Sequence, residues 1–227
     1  MKTELLYKPS FTMARVLLEA NEEIRVEGGS MVGMSSDVTL QTKAEGGILK
    51  SLARAALGGE SFFINTYKAA AGGGEIDLAP ALPGDMGLLN LSGEDMLIQS
   101  GCYVASTMGL ETDTKFSGAK GFFAGISLFM LRISGSGQVI VSSYGAIHEI
   151  NLGEGEQYTV DTGHVLGFSA KMGFNVRKVG GLKSTLFSGE GLVVDLAGPG
   201  RVLLQTRSVS AFLGWLIPQL PTPSSSS

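Results

Sequence analysis

The chain has 227 residues, 44% of them hydrophobic, with 33 glycines and a formal charge of −4. That is apolar material enough for one large β body or two small ones, and the negative balance argues against coating nucleic acid through bulk charge. One cysteine excludes an internal disulfide, and two histidines beside it are too few for most zinc sites.

In chain order, residues 4–18 read as one or two strands separated at Pro9. The first residues hold no long apolar run, so no secretory leader is expected. No apolar run reaches membrane-spanning length either, and a cytoplasmic setting follows as the expectation. Residues 23–42 alternate apolar and polar, the mark of half-buried strands. Residues 46–59 differ: Ile48, Leu49, Leu52, Ala53, Ala56 and Leu57 recur at helical spacing between glycine pairs, which predicts one short amphipathic helix near 47–57. Strands are then expected at 62–69, 86–91, 95–99 and 102–107. A meander over 126–133, 138–143 and 146–151 is expected to turn at Gly135-Ser136-Gly137, and further strands follow at 156–160, 164–169, 173–178, 191–196 and 201–206. Residues 212–217 form a short apolar tail, and 218–227 a Pro/Ser-rich end expected to be mobile.

The chain also repeats itself. A glycine, two residues and an apolar triplet occur at Gly59, Gly125 and Gly189, 66 and 64 residues apart. Upstream of each lies an acidic turn, a short strand, a glycine (Gly29, Gly101, Gly163) and another strand. A Gly-x-Gly stretch follows the second and third triplets, at 135–137 and 198–200. The first copy departs there, with 69–74 and the Pro80/Pro83 loop instead. The reading is one all-β domain over 1–217, built of three diverged copies at about 10–75, 76–140 and 141–208.

Chemical motifs are weak. The glycine clusters lack the strand–loop–long-helix setting and the lysine of a phosphate loop. Residues 117–120 fit S-x-x-K, without its companion motifs. Asp161 and His164 with a serine make only a nominal triad, since Ser30 and Cys102 stand at the places equivalent to His164. His148 and His164 alone do not make a metal site, and Cys102 reads as a buried, inert thiol. No catalytic residue, metal or cofactor is expected.

Charge is more informative. The segments 43–59, 115–125 and 177–189 precede the three triplets and together hold eight basic residues and one acid, so they carry +7 while the remainder carries −11. They also hold apolar side chains. A basic, apolar end suits an anionic membrane surface; the same groups would also serve an oligomer interface. The candidate binding residues are Lys50, Arg54, Lys120 and Lys183 for charge, with Leu49, Phe122, Phe123 and Phe187 for insertion. Residues 212–217, too short to span a bilayer, are expected to dock on a neighbour.

At 46–63, 122–145, 160–168 and 181–208 the chain resembles bacterial members of the mitochondrial-biogenesis, "altered inheritance of mitochondria" type family, over about 10–217. The resemblance implies a body like the tryptophan RNA-binding attenuation protein, a double-stranded β-helix that is barrel-like, and a trimer. It does not imply RNA binding, because fold does not fix function. It supplies no catalytic residues. Mitochondrial relatives are associated with the inner membrane, and bacterial ones with membrane-linked scaffolding. The expected function is a non-enzymatic homo-oligomeric scaffold, cytoplasmic and peripheral on the inner membrane face, docking on membrane or a membrane-bound partner. The alternative is a small-molecule or nucleic-acid binding module using a sheet face or subunit cleft, and a third reading is an enzyme built around His148 or His164.

Overall fold

The computed structural model describes residues 1–41, 63–113, 129–179 and 192–221. Over these the chain forms 18 strands and one α-helix, so it is all-β as expected. The helix expected near 47–57 lies outside the described residues.

The first strands are β1 (Lys2–Leu6), β2 (Met13–Leu18), β3 (Glu23–Glu27), β4 (Met31–Met34), β5 (Val38–Gln41), β6 (Ile64–Ala69) and β7 (Gly74–Leu78). β7 lies between β2 and β4, and β6 between β3 and β5, all antiparallel. Next come β8 (Met86–Ser92), β9 (Met96–Gln99), β10 (Tyr103–Thr107), β11 (Leu110–Asp113) and β12 (Met130–Ser142). The long β12 takes both central places here. Its first part lies between β9 and β11, its second between β8 and β10. The last group is β13 (Ile147–Leu152), β14 (Gln157–Asp161), β15 (Val165–Ser169), β16 (Gly173–Lys178), β17 (Leu192–Ala197) and β18 (Gly200–Gln205). Here β18 lies between β13 and β15, and β17 between β14 and β16.

Two ladders join the groups: β10 pairs with β3, and β15 pairs with β9. The result is an eleven-stranded sheet flanked by a four-stranded sheet, β1-β2-β7-β4, and a three-stranded one, β14-β17-β16. None of these sheets closes on itself among the described residues, so the barrel-like closure expected from the sequence is corrected to open sheets. The alternation read from the sequence holds in β2 and β3, where every second side chain is buried. β9 and β10 lie inside the large sheet and are buried on both faces, which is why their sequences run apolar without alternation.

Four local differences from the sequence expectation have physical causes. Gly135 and Gly137 do not turn a hairpin: they sit at φ +104° and +153° inside β12, where they bend one strand from one set of partners to another. No strand was expected at 74–78, and one forms there. The turn Ala70–Gly73 leads into β7, whose Glu75 and Asp77 hid its strand character. β11, with two acids in four residues, was hidden the same way. Residues 209–216, expected only as a short apolar tail from 212, are helical, and Ile217–Gln219 form a 3-10 turn after that helix.

The core runs through three connected clusters, one centred on Ile24, Val26 and Ile76, one on Tyr103, Ile98 and Leu131, and one on Phe168, Val165 and Leu196. Phe168 is fully buried and meets the edge of Phe174 at a centroid distance of 5.3 Å. Phe168→Ala is expected to cost about 3–5 kcal/mol, from lost transfer energy and the residual cavity; urea unfolding against the unaltered chain measures it. At the surface, Arg177 Nε donates to Asp195 Oδ2 at 2.6 Å and Thr159 Oγ1 to Oδ1 at 2.7 Å, tying β16 and β14 to β17. The Arg177 bond, then that of Thr159, holds the Asp195 carboxyl below its ordinary value of 3.8. A depressed carboxyl contributes stability above its unfolded pKa and loses it as pH falls through the folded one. Asp195→Asn is therefore expected to destabilise the chain at neutral pH and to flatten the fall in stability on acidification below about pH 4, read as unfolding midpoint against pH.

Candidate interaction surfaces

All eight residues put forward from the sequence fall outside the described residues. Leu49, Lys50 and Arg54 lie in 42–62, Lys120, Phe122 and Phe123 in 114–128, and Lys183 and Phe187 in 180–191. The described residues break off after β5, β11 and β16 and resume at or just before β6, β12 and β17, so the three segments connect β5 to β6, β11 to β12 and β16 to β17. Arg177, counted among the basic residues of the third segment, is in β16 and paired with Asp195.

The enzyme reading gains no support from the histidines. His164 Nδ1 is 2.8 Å from the Gln205 carbonyl oxygen, which can only accept, so this nitrogen carries the proton in a structural bond. His148 is in β13 opposite Leu204. No group of three or more His, Cys, Asp or Glu side chains could hold a metal among the described residues. Cys102 is buried, as expected, at the end of a 3-10 turn before β10, with its Sγ 3.8 Å from Gln99 Oε1 and from Gln205 Oε1.

Beside Cys102 is a cleft of about 600 Å³ where Glu27, Gln99, Thr162 and Ser208 approach one another. Gln205 spans its floor. Its Oε1 accepts from the Tyr144 amide at 2.9 Å, and its Nε2 donates to the Gly163 carbonyl at 3.0 Å. Below it, burial pushes the Tyr103 phenol up to about 12, so it stays neutral, and its hydroxyl bonds Ser106 Oγ at 2.8 Å. The Gln205 amide is engaged in holding β18 to its neighbours.

The helix α1 (Val209–Leu216) closes one end of this cleft. Ser208 caps it, accepting from the Ala211 amide, and Phe212 meets Tyr144 edge-on at 6.1 Å. Its sequence, VSAFLGWL, is apolar nearly all round, a composition that belongs in an interior. Yet no residue of it is buried, and Trp215 and Ile217 are 64% and 60% exposed. No helix among the described residues is long and apolar enough to cross a membrane.

Two strand edges form a second uncovered surface. Among the described residues β4 pairs only with β7, and β14 only with β17. Their outer sides present Met31, Val32, Met34 and Tyr158.

Known proteins place the chain in context. It is 28% identical over 222 residues, 94% of this chain and 89% of the relative, to a protein of Streptococcus pyogenes serotype M6 described as uncharacterised. A crystal structure of a Streptococcus pyogenes protein superposes with a TM-score of 0.79 at 26% identity, covering 96% of this chain and 99% of that one. Residues 3–207 match the family described as mitochondrial biogenesis AIM24. The chain belongs to that AIM24 family.

Proposed function

We propose that this AIM24-family protein is a non-enzymatic scaffold that assembles with itself and docks reversibly on an anionic membrane surface or a partner held there. One observation carries the reading: α1 is apolar on nearly every side and has no buried residue. A segment of that composition is stable on a protein only when something covers it. His164 and Cys102 sit in structural surroundings, which favours docking over chemistry at those two residues. The basic residues Lys50, Arg54, Lys120 and Lys183 would supply attraction to anionic headgroups, with Leu49, Phe122, Phe123 and Phe187 entering the interfacial layer.

The body that presents these groups is, in this reading, a single domain over 1–217 made of three diverged copies of one six-strand unit, related to the double-stranded β-helix. Support comes from the ladders. The second and third groups repeat the pairings of the first strand for strand, and each has a bulge at the same place. It falls between Met31 and Gly33, between Tyr103 and Ala105, and between Val165 and Gly167.

Flotation with anionic and neutral vesicles at low and high salt tests the docking. Binding is expected for anionic vesicles at low salt. Replacing Lys50, Arg54, Lys120 and Lys183 together with Glu removes at least four favourable terms of about 1 kcal/mol each, roughly a thousand-fold in partitioning. Unchanged flotation of that variant overturns the membrane reading. Trp215→Glu separates the two uses of α1: lost flotation assigns the helix to the bilayer, and retained flotation assigns it to a protein surface.

A further inference from the structure

The two uncovered strand edges are halves of a contact that the chain already makes twice. Within the chain, β10 of the second group pairs antiparallel with β3 of the first, with Ala105 opposite Val26, Ser106 opposite Arg25 and Thr107 opposite Ile24. In the same way β15 of the third group pairs with β9 of the second, with Gly167 opposite Ile98, Phe168 opposite Leu97 and Ser169 opposite Met96. In both, the third strand of one unit joins the second strand of the unit before it. Among the described residues no ladder of this kind reaches the third strand of the first unit, β4, or the second strand of the last, β14.

The side chains are made for the missing neighbour. Aligned on the recurring bulge, Met31, Val32 and Met34 correspond to Tyr103, Val104 and Ser106 in β10 and to Val165, Leu166 and Phe168 in β15. All six of those counterparts are 0% exposed, whereas Met31, Val32 and Met34 are 39%, 60% and 44% exposed. On the other edge, Tyr158 is 41% exposed, while its counterparts Ile24 and Met96 are buried. Glycine carries the same message. At Gly167 a Cβ would meet the Leu97 carbonyl oxygen at 2.6 Å, because the backbone of β9 lies against it. At Gly33, the counterpart, a Cβ would meet nothing within 4 Å. The space that Gly167 leaves for a neighbouring strand is present at Gly33 and empty.

Charge agrees. Edge strands are ordinarily protected from pairing by charged side chains, and β1, β11, β13 and β16 carry them (Lys2 and Glu4, Glu111 and Asp113, Glu149, Arg177 and Lys178), while β5 and β8, also paired on one side only among the described residues, do not. β4 carries none, and β14 has only Asp161 at its end.

We propose that β4 of one copy of this chain pairs antiparallel with β14 of a second copy, continuing between chains the ladder that joins units within one. This rests on the three-unit reading above. The register follows from the internal junctions: Gly33 stands opposite Val160 of the second copy, Met34 opposite Thr159, and Ser35 opposite Tyr158. Because the two edges differ, the contact is head-to-tail. It leaves one β4 and one β14 free in every open assembly, and it ends only in a ring, or otherwise grows as a filament.

The test uses two edge variants and a cross-link. Gly33→Leu places a side chain in open space in the single chain but in the path of an incoming β14. Tyr158→Lys puts an ammonium group where the junction would bury it. The unaltered chain is expected to sediment as an oligomer and each variant alone as a monomer. An equimolar mixture of the two is expected to give dimers and nothing larger, since one sound β14 and one sound β4 remain. Recovery of dimers also shows that both variants are folded. An unaltered chain that stays monomeric at micromolar concentration, a mixture that stays monomeric, or a Tyr158→Lys variant that still assembles overturns the proposal.

The register is tested with Met34→Cys and Thr159→Cys in one chain, treated with oxidised glutathione as electron acceptor. A ladder of disulfide-linked chains is expected. Arg25→Cys with Ser106→Cys, opposite one another within the chain, is the control and closes inside the monomer. Closure of the control without a ladder rejects the edge pairing while leaving the fold intact. Failure of the control as well removes the register on which the three-unit reading stands. Vesicle flotation retained by the edge variants shows that membrane docking stands apart from assembly.

Discussion

The structure depends on satisfying backbone hydrogen bonds across the boundaries between its strand groups. A strand buried on both faces cannot turn to water for its amides and carbonyls. β9 and β10 are in that position, and the β10–β3 and β15–β9 ladders supply their partners. Ile98 and Leu97, neighbours in β9, serve different apolar clusters from opposite faces of that strand. Side-chain detail follows from this. Gly167 is glycine because β9 passes too close for a Cβ, and Arg25 reaches across to the Leu110 carbonyl beside the β10–β3 junction.

Polar groups in the interior serve that framework. Gln205 links the Tyr144 amide to the Gly163 carbonyl, His164 is fixed by the Gln205 carbonyl, and Asp85 accepts from Thr12 Oγ1 at 3.0 Å and from the Met86 amide at 2.8 Å. A buried polar atom that is fully engaged stabilises one arrangement and has no capacity left for a ligand. Surface ion pairs such as Arg15–Asp77 and Lys68–Glu23 lie along strand faces, where each contributes on the order of 0–1 kcal/mol. They matter more for where they stand. Charge stands on four of the outer strands, β1, β11, β13 and β16, and is nearly absent from β4 and β14, and an apolar helix stands uncovered on the surface. Among the described residues α1 and the two edges stand on the outside, and these features support the contact role proposed for the chain.

What the sequence by itself determined is the class and the rhythm of the molecule. Alternating apolar residues and glycine-marked turns established an all-β chain. The lack of grouped histidines, cysteines and carboxylates pointed away from catalysis. Short strands with two acids, β7 and β11, escaped because a few charged positions erase an alternation only four or five residues long. The helical tail escaped because α1, with a central Gly214 and apolar residues on most sides, has no polar face to set a period.

Only the tertiary structure decided which strands are neighbours. Backbone ladders are made of the same amides and carbonyls in every strand, so the side-chain pattern shows that Val32 and Leu166 are apolar without showing that one is covered and the other bare. That difference depends on what lies beside the strand, and for β4 and β14 the described residues supply no neighbour like that of β10 and β15. The candidate residues chosen for charge and hydrophobicity lie in the segments that connect β5 to β6, β11 to β12 and β16 to β17, outside the described residues. The surfaces that the fold brought forward, α1 and the two edges, were chosen instead by where packing stops, because exposure is a property of the assembled body and of no single stretch of sequence.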